Sequence, residues 1–194
     1  MIIVDRDIEP SIIALAAQYP VITITGPRQS GKTTLAKKLF PEKLYINLEN
    51  PDQRELAKQD PRAFLHQIRN GAVLDEIQRA PEILSYLQEM IDAHPIKGHY
   101  VLTGSNHFTL LDSVTQSLAG RTVLLKLLPL TIGEIAAKTG KFSTDDLILH
   151  GFYPGVYSGK LNPTIAYRSY YETYIERDLR QILGHGGLRL GGLD

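Results

Sequence analysis

The sequence predicts an α/β fold, in which a five-stranded, mainly parallel sheet carries helices on both faces and is followed by a short helical C-terminal region. Two observations support this prediction. Over residues 1–128, short apolar segments rich in β-branched residues alternate with segments of helical periodicity, as is typical of β-α-β units. The apolar segment 21–25 leads into a glycine loop, and the three apolar residues 72–74 lead into a pair of acids, as buried parallel strands do at a polar edge.

The elements follow in order along the chain. Strands are predicted for segments 21–25, 43–48, 71–76, 99–103 and 122–128. Helices are predicted for segments 10–18, 33–39, 53–58, 62–69, 82–93 and 108–118. After these come short helical pieces at 129–137 and 144–149, a turn at 151–155 and a long helix over 162–183. We therefore expect an α/β core of residues 1–128, a helical extension of residues 129–183 and a mobile Gly-rich tail of residues 184–194.

Residues 26–34, between the first strand and the next helix, match the P-loop pattern G-x-x-x-x-G-K-[ST]. Glycines at the tightest points let backbone N–H groups wrap the phosphates of a nucleotide, and the helix that follows points its positive end at them. Lys32 is expected to contact the outer phosphates and to assist catalysis, and the Thr33 hydroxyl to bind Mg²⁺. The residues expected to bind the nucleotide here are Gly26, Pro27, Arg28, Gln29, Ser30, Gly31, Lys32, Thr33 and Thr34.

Asp75 and Glu76 end the next apolar segment but one after the P-loop, and Asp75 lies 43 residues beyond Lys32. Ligands bind at the carboxyl ends of strands in open α/β sheets, so these acids are expected beside the P-loop. Asp75 suits a Walker B acid that holds Mg²⁺ together with Thr33, and Glu76 suits a base that orients the attacking water. The alternative is that Asp75 and Glu76 are solvated acids that cap the loop before the next helix.

Two further positions have open interpretations. Ser105 and Asn106 follow the fourth predicted strand, where they would either sense the γ-phosphate and the attacking water or cap the next helix. Arg121 precedes the fifth strand. It is a candidate to contact phosphate, in its own chain or across a subunit interface, and equally a candidate surface arginine.

Composition and net charge indicate which classes of partner and which location to expect. The formal net charge is zero, which gives no support to nucleic acid as a partner, although tyrosines and arginines interleave along the helix over 162–183. Acidic residues reduce the positive charge of that helix, so we favour a packed helix over a nucleic-acid face. The chain has no cysteine, no signal-peptide pattern and no apolar run long enough for a membrane span. We expect a cytoplasmic protein, with self-association or a protein partner possible.

Five stretches together resemble the prokaryotic AAA-like ATPases that join an N-terminal ATPase domain to a C-terminal domain of unknown function. The stretches are TGPRQSGKTTL (25–35), VLDEIQRAPEIL (73–84), LTGSN (102–106), SLAGRTVLLKLLPLTIGE (117–134) and YETYIERDLRQ (171–181). The resemblance implies a doubly wound P-loop NTPase sheet, with an extra strand between the P-loop strand and the Walker B strand. It also implies a catalytic glutamate, matched by Glu76, and a sensor, matched by Ser105 and Asn106. Members of that family continue beyond the Tyr/Arg helix, so we expect a truncated gene, a fragment or a naturally short form.

The sequence therefore predicts a Mg²⁺-dependent ATPase of the AAA-like class that couples nucleotide state to a conformational change. ATP is favoured over GTP mainly by the resemblance, and no guanine-reading motif is present. One alternative is an ATP-dependent binding switch with negligible hydrolysis. Another is an ATPase linked to nucleic acid, and a kinase is a weaker option.

Overall fold

The computed structural model describes residues 4–105, 108–140, 142–159 and 161–175. The chain divides into two compact units, which are described separately. The first unit comprises Asp5–Leu130, and the second contains the described residues from Thr131 onward together with Val4. The predicted domain limits at residues 128 and 183 stay predictions.

A five-stranded sheet forms the centre of the first unit. Its strands are β1 (Val21–Gly26), β2 (Leu44–Asn47), β3 (Ala72–Asp75), β4 (Tyr100–Ser105) and β5 (Thr122–Lys126). They lie in the order β2-β3-β4-β1-β5, and each recorded pair is parallel. The strand β4 therefore lies between β1 and β3, as the family resemblance implies. In this register Gly26 is opposite Ser105 and Asn47 is opposite Asp75, so the carboxyl ends of four strands meet at one edge.

The helices of the first unit alternate with these strands. They are α1 (Glu9–Ala16), α2 (Lys32–Leu39), α3 (Pro51–Gln59), α4 (Pro61–Gln67), α5 (Ile83–Ala93) and α6 (Phe108–Leu118), with a 3₁₀ turn at Ile77–Arg79. The side chain of Asp60 accepts a hydrogen bond from the Ala63 N–H and Pro61 follows it, so α4 begins with a side-chain cap and a proline.

Alternation along the strands sends apolar side chains to both faces of the sheet. On one face, Ile22 and Ile24 pack with buried residues of α1 and α2. On the other face, Leu74 and Leu102 pack with buried residues of α3, α4, α5 and α6. Each fully buried leucine or isoleucine contributes about 1.5–3 kcal/mol through removal of its surface from water. These two cores fix the strand ends that carry the predicted site.

The second unit is helical. Its elements are α7 (Ile132–Thr139), α8 (Thr144–His150), α9 (Pro154–Gly159), α10 (Pro163–Tyr170) and a π-helical turn (Tyr171–Ile175). Capping boxes begin α7 and α8, where Thr131 pairs with Glu134 and Ser143 with Asp146. The predicted turn at 151–155 is wrong in part, because α9 begins at Pro154, whose fixed φ suits a first helical turn.

Tyrosines of the second unit contact one another and its backbone. The Tyr153 ring lies 4.9 Å from that of Tyr170 and 6.0 Å from that of Tyr167. The Tyr167 hydroxyl donates to the carbonyl of His150 at 2.7 Å. These contacts agree with a packed helix, although contact with nucleic acid stays an untested alternative. The predicted helix is described as far as Ile175, and its remainder and the predicted Gly-rich tail lie outside the described residues. In the part of the chain that the structure describes, no helix is both long and apolar enough to cross a membrane.

Candidate active site

The P-loop backbone forms a concave set of N–H groups at the start of α2. Positive φ angles occur at Gly26 (150°), Gln29 (61°) and Gly31 (96°). Alternation of left-handed and right-handed residues turns successive N–H groups toward one point, where they bind anions. The first helical hydrogen bond runs from the Leu35 N–H to the Gly31 carbonyl. The N–H groups that precede Leu35 in the first turn, including that of Thr34, have no acceptor within the helix. They are therefore suited to donate hydrogen bonds to a phosphate.

Gly26 is required by packing as well as by the ligand. A Cβ atom at this position would overlap the backbone carbonyl oxygen of Leu127, just after β5. The Leu127 N–H donates to the Thr25 carbonyl at 2.7 Å, so the two backbones are held together at this point. The P-loop pattern alone explains this glycine only by the close approach of a phosphate.

Lys32 is buried beneath the loop. Its ammonium donates to the carbonyls of Gly26 at 3.0 Å and Pro27 at 2.9 Å. Burial lowers the pKa of Lys32 below its ordinary value, and the nearby Arg28 guanidinium acts in the same direction, whereas Glu76 and Asp75 oppose the shift. Among the described residues both acceptors of this buried cation are neutral, so it is well suited to exchange them for phosphate oxygens.

Asp75 is buried at the end of β3 and accepts hydrogen bonds from three hydroxyl groups. Thr33 donates at 2.9 and 3.1 Å, Tyr45 on β2 donates at 2.6 Å, and Thr103 on β4 also donates. Hydroxyl and carboxylate oxygens are the ligands that Mg²⁺ prefers, so the pair of Thr33 and Asp75 fits this ion. Sequence reasoning missed Tyr45, because its distance from Asp75 depends on the pairing of β2 with β3.

Burial and the nearby acids raise the pKa of Tyr45 above its ordinary value. Burial is the largest cause, followed by the hydrogen bond to Asp75 and the charges of Asp75, Glu76 and Glu49. The Tyr45 hydroxyl therefore stays protonated and remains a donor to Asp75. The Lys37 ammonium lies 3.5 Å from the centre of the Tyr45 ring and makes a cation–π contact with it.

Glu76 follows Asp75 in a left-handed backbone conformation, with φ 58° and ψ 46°. Such a conformation costs a non-glycine residue energy, and it is found often at functional sites. The Gln78 amide nitrogen contacts the Glu76 carboxylate and donates to the Ser105 hydroxyl at 2.9 Å. Gln78 thus joins the predicted base to one predicted sensor residue, while Asn106 lies outside the described residues.

Gln78 is a second residue that sequence reasoning missed. Its side-chain oxygen is buried and has no hydrogen-bond partner among the described residues. Buried polar atoms are nearly always paired, so this oxygen suits a ligand or a water molecule. The available signal was its place in the stretch at 73–84, two residues after Glu76 in the 3₁₀ turn.

Arg6 links the P-loop to the segment that follows β5. Its largely buried guanidinium donates to the carbonyls of Ser30 at 2.9 Å, Leu128 at 2.7 Å and Pro129 at 3.2 Å. The Ser30 side chain is fully buried, and its hydroxyl has no hydrogen-bond partner among the described residues. No sequence pattern indicated Arg6, because its contacts come from segments far along the chain.

Arg121 lies at the opposite edge of the sheet. The Val21 N–H at the start of β1 donates to the Arg121 carbonyl at 3.1 Å. The Arg121 guanidinium binds both carboxylate oxygens of Asp92, at 2.6 and 2.8 Å. The strand from Val21 to Gly26 rises about 3.3 Å per residue, or roughly 17 Å in all, so the structure does not bring Arg121 to the P-loop of its own chain.

A known protein family matches the chain. The family described as AAA domain matches residues 18–136. Uncharacterized proteins of Mycobacterium bovis and Mycobacterium tuberculosis are each 34% identical to the chain over 188 residues. These alignments cover 94% of this chain and 41% of each relative, so the chain spans less than half of the length of these relatives.

Solved structures share the fold. A Walker-type ATPase of Pyrococcus abyssi matches with a TM-score of 0.62 at 16% identity, over 94% of this chain and 76% of that chain. DnaA from Aquifex aeolicus, solved with AMPPCP bound, matches with a TM-score of 0.55 at 16% identity, over 91% and 65%. Identity at this level supports the fold alone. With the family match, these structures confirm the predicted P-loop NTPase fold.

Proposed function

The chain belongs to the AAA domain family, and on that basis we propose that it binds ATP with Mg²⁺ and hydrolyses it to ADP and phosphate. The observation that best supports this proposal is the hydrogen bond from Thr33, in the P-loop, to Asp75, at the end of β3. It joins two oxygen ligands suited to Mg²⁺ beside backbone N–H groups suited to phosphates.

Each residue of the site has a proposed task. The backbone of Gly26, Pro27, Arg28, Gln29, Ser30, Gly31 and Thr34 would surround the phosphates. Lys32 would exchange its carbonyl partners for oxygens of the β- and γ-phosphates. Thr33 and Asp75 would hold Mg²⁺, which when bound neutralises charge on the phosphates and fixes their orientation.

Glu76 is the proposed base. Its carboxylate would hold the attacking water in line with the γ-phosphate and accept a proton from it. The Gln78 amide contacts both the Glu76 carboxylate and the Ser105 hydroxyl. Together, Gln78 and Ser105 would orient that carboxylate and respond to the γ-phosphate. Loss of the γ-phosphate would change this network, which is the proposed link between nucleotide state and conformation. Asn106 stays a proposed sensor from sequence alone.

One observation favours a second candidate, an ATP-dependent binding switch with negligible hydrolysis. The Gln78 amide contacts the carboxylate that would hold the water. If this contact persists with ATP bound, Glu76 is held away from its task and turnover is low. Partners also remain proposals, and the neutral net charge gives no support to nucleic acid.

The test compares the purified chain with the variants Glu76→Gln and Lys32→Ala. Mg²⁺-dependent ATP binding and phosphate release are measured for each protein. The ATPase proposal expects turnover by the parent, binding without turnover by Glu76→Gln and loss of binding by Lys32→Ala. ATP binding without turnover by the parent would favour the switch, and absence of ATP binding by the parent would refute both.

A further inference from the structure

Two arginines share one carboxylate beside the P-loop. Glu49 follows β2, and its N–H donates to the Asn47 side chain at 2.9 Å. Its Oε1 lies 4.0 Å from Nη1 of Arg28, in the P-loop, and 3.7 Å from Nη2 of Arg79, in the 3₁₀ turn after β3. Both distances exceed those of a good hydrogen bond, so the three side chains are held by charge more than by directed bonds.

Arg79 has more capacity to bind an anion than Glu49 uses. The Nε of Arg79 is buried and has no hydrogen-bond partner among the described residues. The Arg28 side chain is 14% exposed, and its charge contributes to the lowered pKa of Lys32, so guanidinium and ammonium lie close together. Glu49 is 45% exposed, which leaves its carboxylate a route into solvent.

We propose that Arg28 and Arg79 form a second phosphate-binding position beside the P-loop, which Glu49 occupies in this structure and leaves when the terminal phosphate of ATP binds. This inference rests on the proposed function and deepens it. A phosphate offers more negative charge and more acceptor oxygens than one carboxylate, and guanidinium groups bind it through paired hydrogen bonds. It therefore competes well against a carboxylate that two arginines hold only loosely.

The position gives Glu49 a role in selectivity. ADP lacks the terminal phosphate, so it does not compete with Glu49 for the arginines. Glu49 then lowers the affinity for ATP while leaving that for ADP almost unchanged. A merely structural ion cluster, which braces the loop after β2 against the 3₁₀ turn, would affect both nucleotides alike.

The experiment measures the affinities of fluorescent mant-ATP and mant-ADP with Mg²⁺. Glu49→Gln is expected to tighten ATP by about fivefold, the upper range for exposed ion pairs, and to leave ADP unchanged. Arg79→Gln is expected to weaken ATP by about tenfold, because a charged hydrogen bond is lost, with little effect on ADP. In the double variant, the gain from Glu49→Gln should shrink, because the carboxylate then competes at one guanidinium only.

The matched controls are Glu89→Gln and Arg62→Gln. These residues form an exposed ion pair between α4 and α5, with 3.5 Å between Arg62 Nη2 and Glu89 Oε2, and carry the same charge changes. Neither control should change the ratio of ATP to ADP affinity. Thermal unfolding of each protein reports folding, and Arg79→Gln carries the test if Glu49→Gln does not fold.

The outcomes separate this inference from the proposed function. If Glu49→Gln leaves the ratio of the two affinities unchanged, or Arg79→Gln leaves ATP affinity unchanged, the second position is refuted. ATP binding by the parent, and its loss in Lys32→Ala, would in that case still support the proposed function. If the parent binds no ATP, both proposals fail.

Discussion

The hydroxyl of Thr33, in the first turn of α2, donates to both carboxylate oxygens of Asp75, at the end of β3, with distances of 2.9 and 3.1 Å. Tyr45 and Thr103 donate to the same carboxylate from the two neighbouring strands. Three elements of the sheet and one helix therefore fix the orientation of this acid. A carboxylate held in this way can bind Mg²⁺ without losing side-chain freedom at that moment.

The first prediction concerns Tyr45. Tyr45→Phe removes one donor to Asp75 and keeps the ring beneath Lys37. Because partners of metal ligands tune metal affinity, we expect the Mg²⁺ concentration for half-maximal ATP binding to rise by about tenfold. A Mg²⁺ titration of mant-ATP fluorescence measures this. Tyr86→Phe, the same change at an exposed ring on α5, is the control, and equal Mg²⁺ requirements for both variants would contradict the prediction.

The second prediction concerns Gln78. Gln78→Ala removes the amide that joins Glu76 to Ser105. If this amide positions the base, kcat should fall by about 10-fold to 100-fold, because misplacement of a reacting group is costly, while ATP affinity changes little. Phosphate release and mant-ATP binding measure the two effects. Gln59→Ala, at an exposed glutamine of α3, should change neither. An increase in kcat would instead show that the Gln78 contact restrains Glu76, as the switch requires.

Sequence reasoning predicted the sheet and the P-loop because their signals are local. The apolar segment at 21–25, the glycine pattern and the two acids each lie within a few residues, and the carboxyl-edge rule then brings them together. Gln78 to Ser105 and Tyr45 to Asp75 are contacts between separate elements, and they depend on strand register and on the left-handed turn at Glu76. No periodicity in the sequence reports either feature.

Arg121 illustrates a different limit. Arg121, just before β5, is a candidate for a phosphate contact because arginines stabilise phosphate charge in many ATPases. The parallel direction of β5 puts the residue before it at the amino edge of the sheet, away from the P-loop. Strand direction, which was itself predicted, already indicated this position.

The third prediction concerns Gly26. In Gly26→Ala, the new Cβ would meet the Leu127 carbonyl, and φ of 150° disfavours a side chain as well. We expect the free energy of unfolding to fall by about 1–3 kcal/mol from overpacking, together with loss of ATP binding as the loop shifts. Gly120→Ala is a matched control, because Gly120 also has positive φ (74°) but a Cβ there would meet no atom within 4 Å. Equal loss of stability in both variants would assign the effect to φ alone.

The fourth prediction concerns Arg121. Because its guanidinium pairs with Asp92 at the amino edge, Arg121→Ala should leave ATP affinity within about twofold of the parent, as exposed ion pairs contribute little. A contact in trans would appear as a loss of kcat that depends on protein concentration. Turnover measured across a dilution series tests this, with Asp92→Asn as the control for loss of the ion pair. A concentration-independent loss of ATP affinity specific to Arg121→Ala would contradict the placement.

The fifth prediction concerns the pH dependence of ATP binding through Lys32. Burial lowers the pKa of its ammonium, with Arg28 adding to the shift, so the free protein loses this charge at lower pH than an ordinary lysine. A bound phosphate favours the charged form and raises the pKa again. Between the lowered pKa and that of the complex, ATP binding therefore takes up a proton, and ATP affinity falls as pH rises.

Calorimetry of ATP binding in buffers of different ionisation enthalpy measures this proton uptake directly. Lys37→Met removes an exposed lysine near the site and should leave the slope of affinity against pH unchanged. Stability gives a second readout with the opposite sign, because the unfolded chain binds more protons than the folded one in the window between the lowered and the ordinary lysine pKa. In that window, the free energy of unfolding of the parent should rise with pH relative to Lys32→Met. Affinity that stays flat on the alkaline side, with no proton uptake, would contradict a buried, charged Lys32 at the phosphate site.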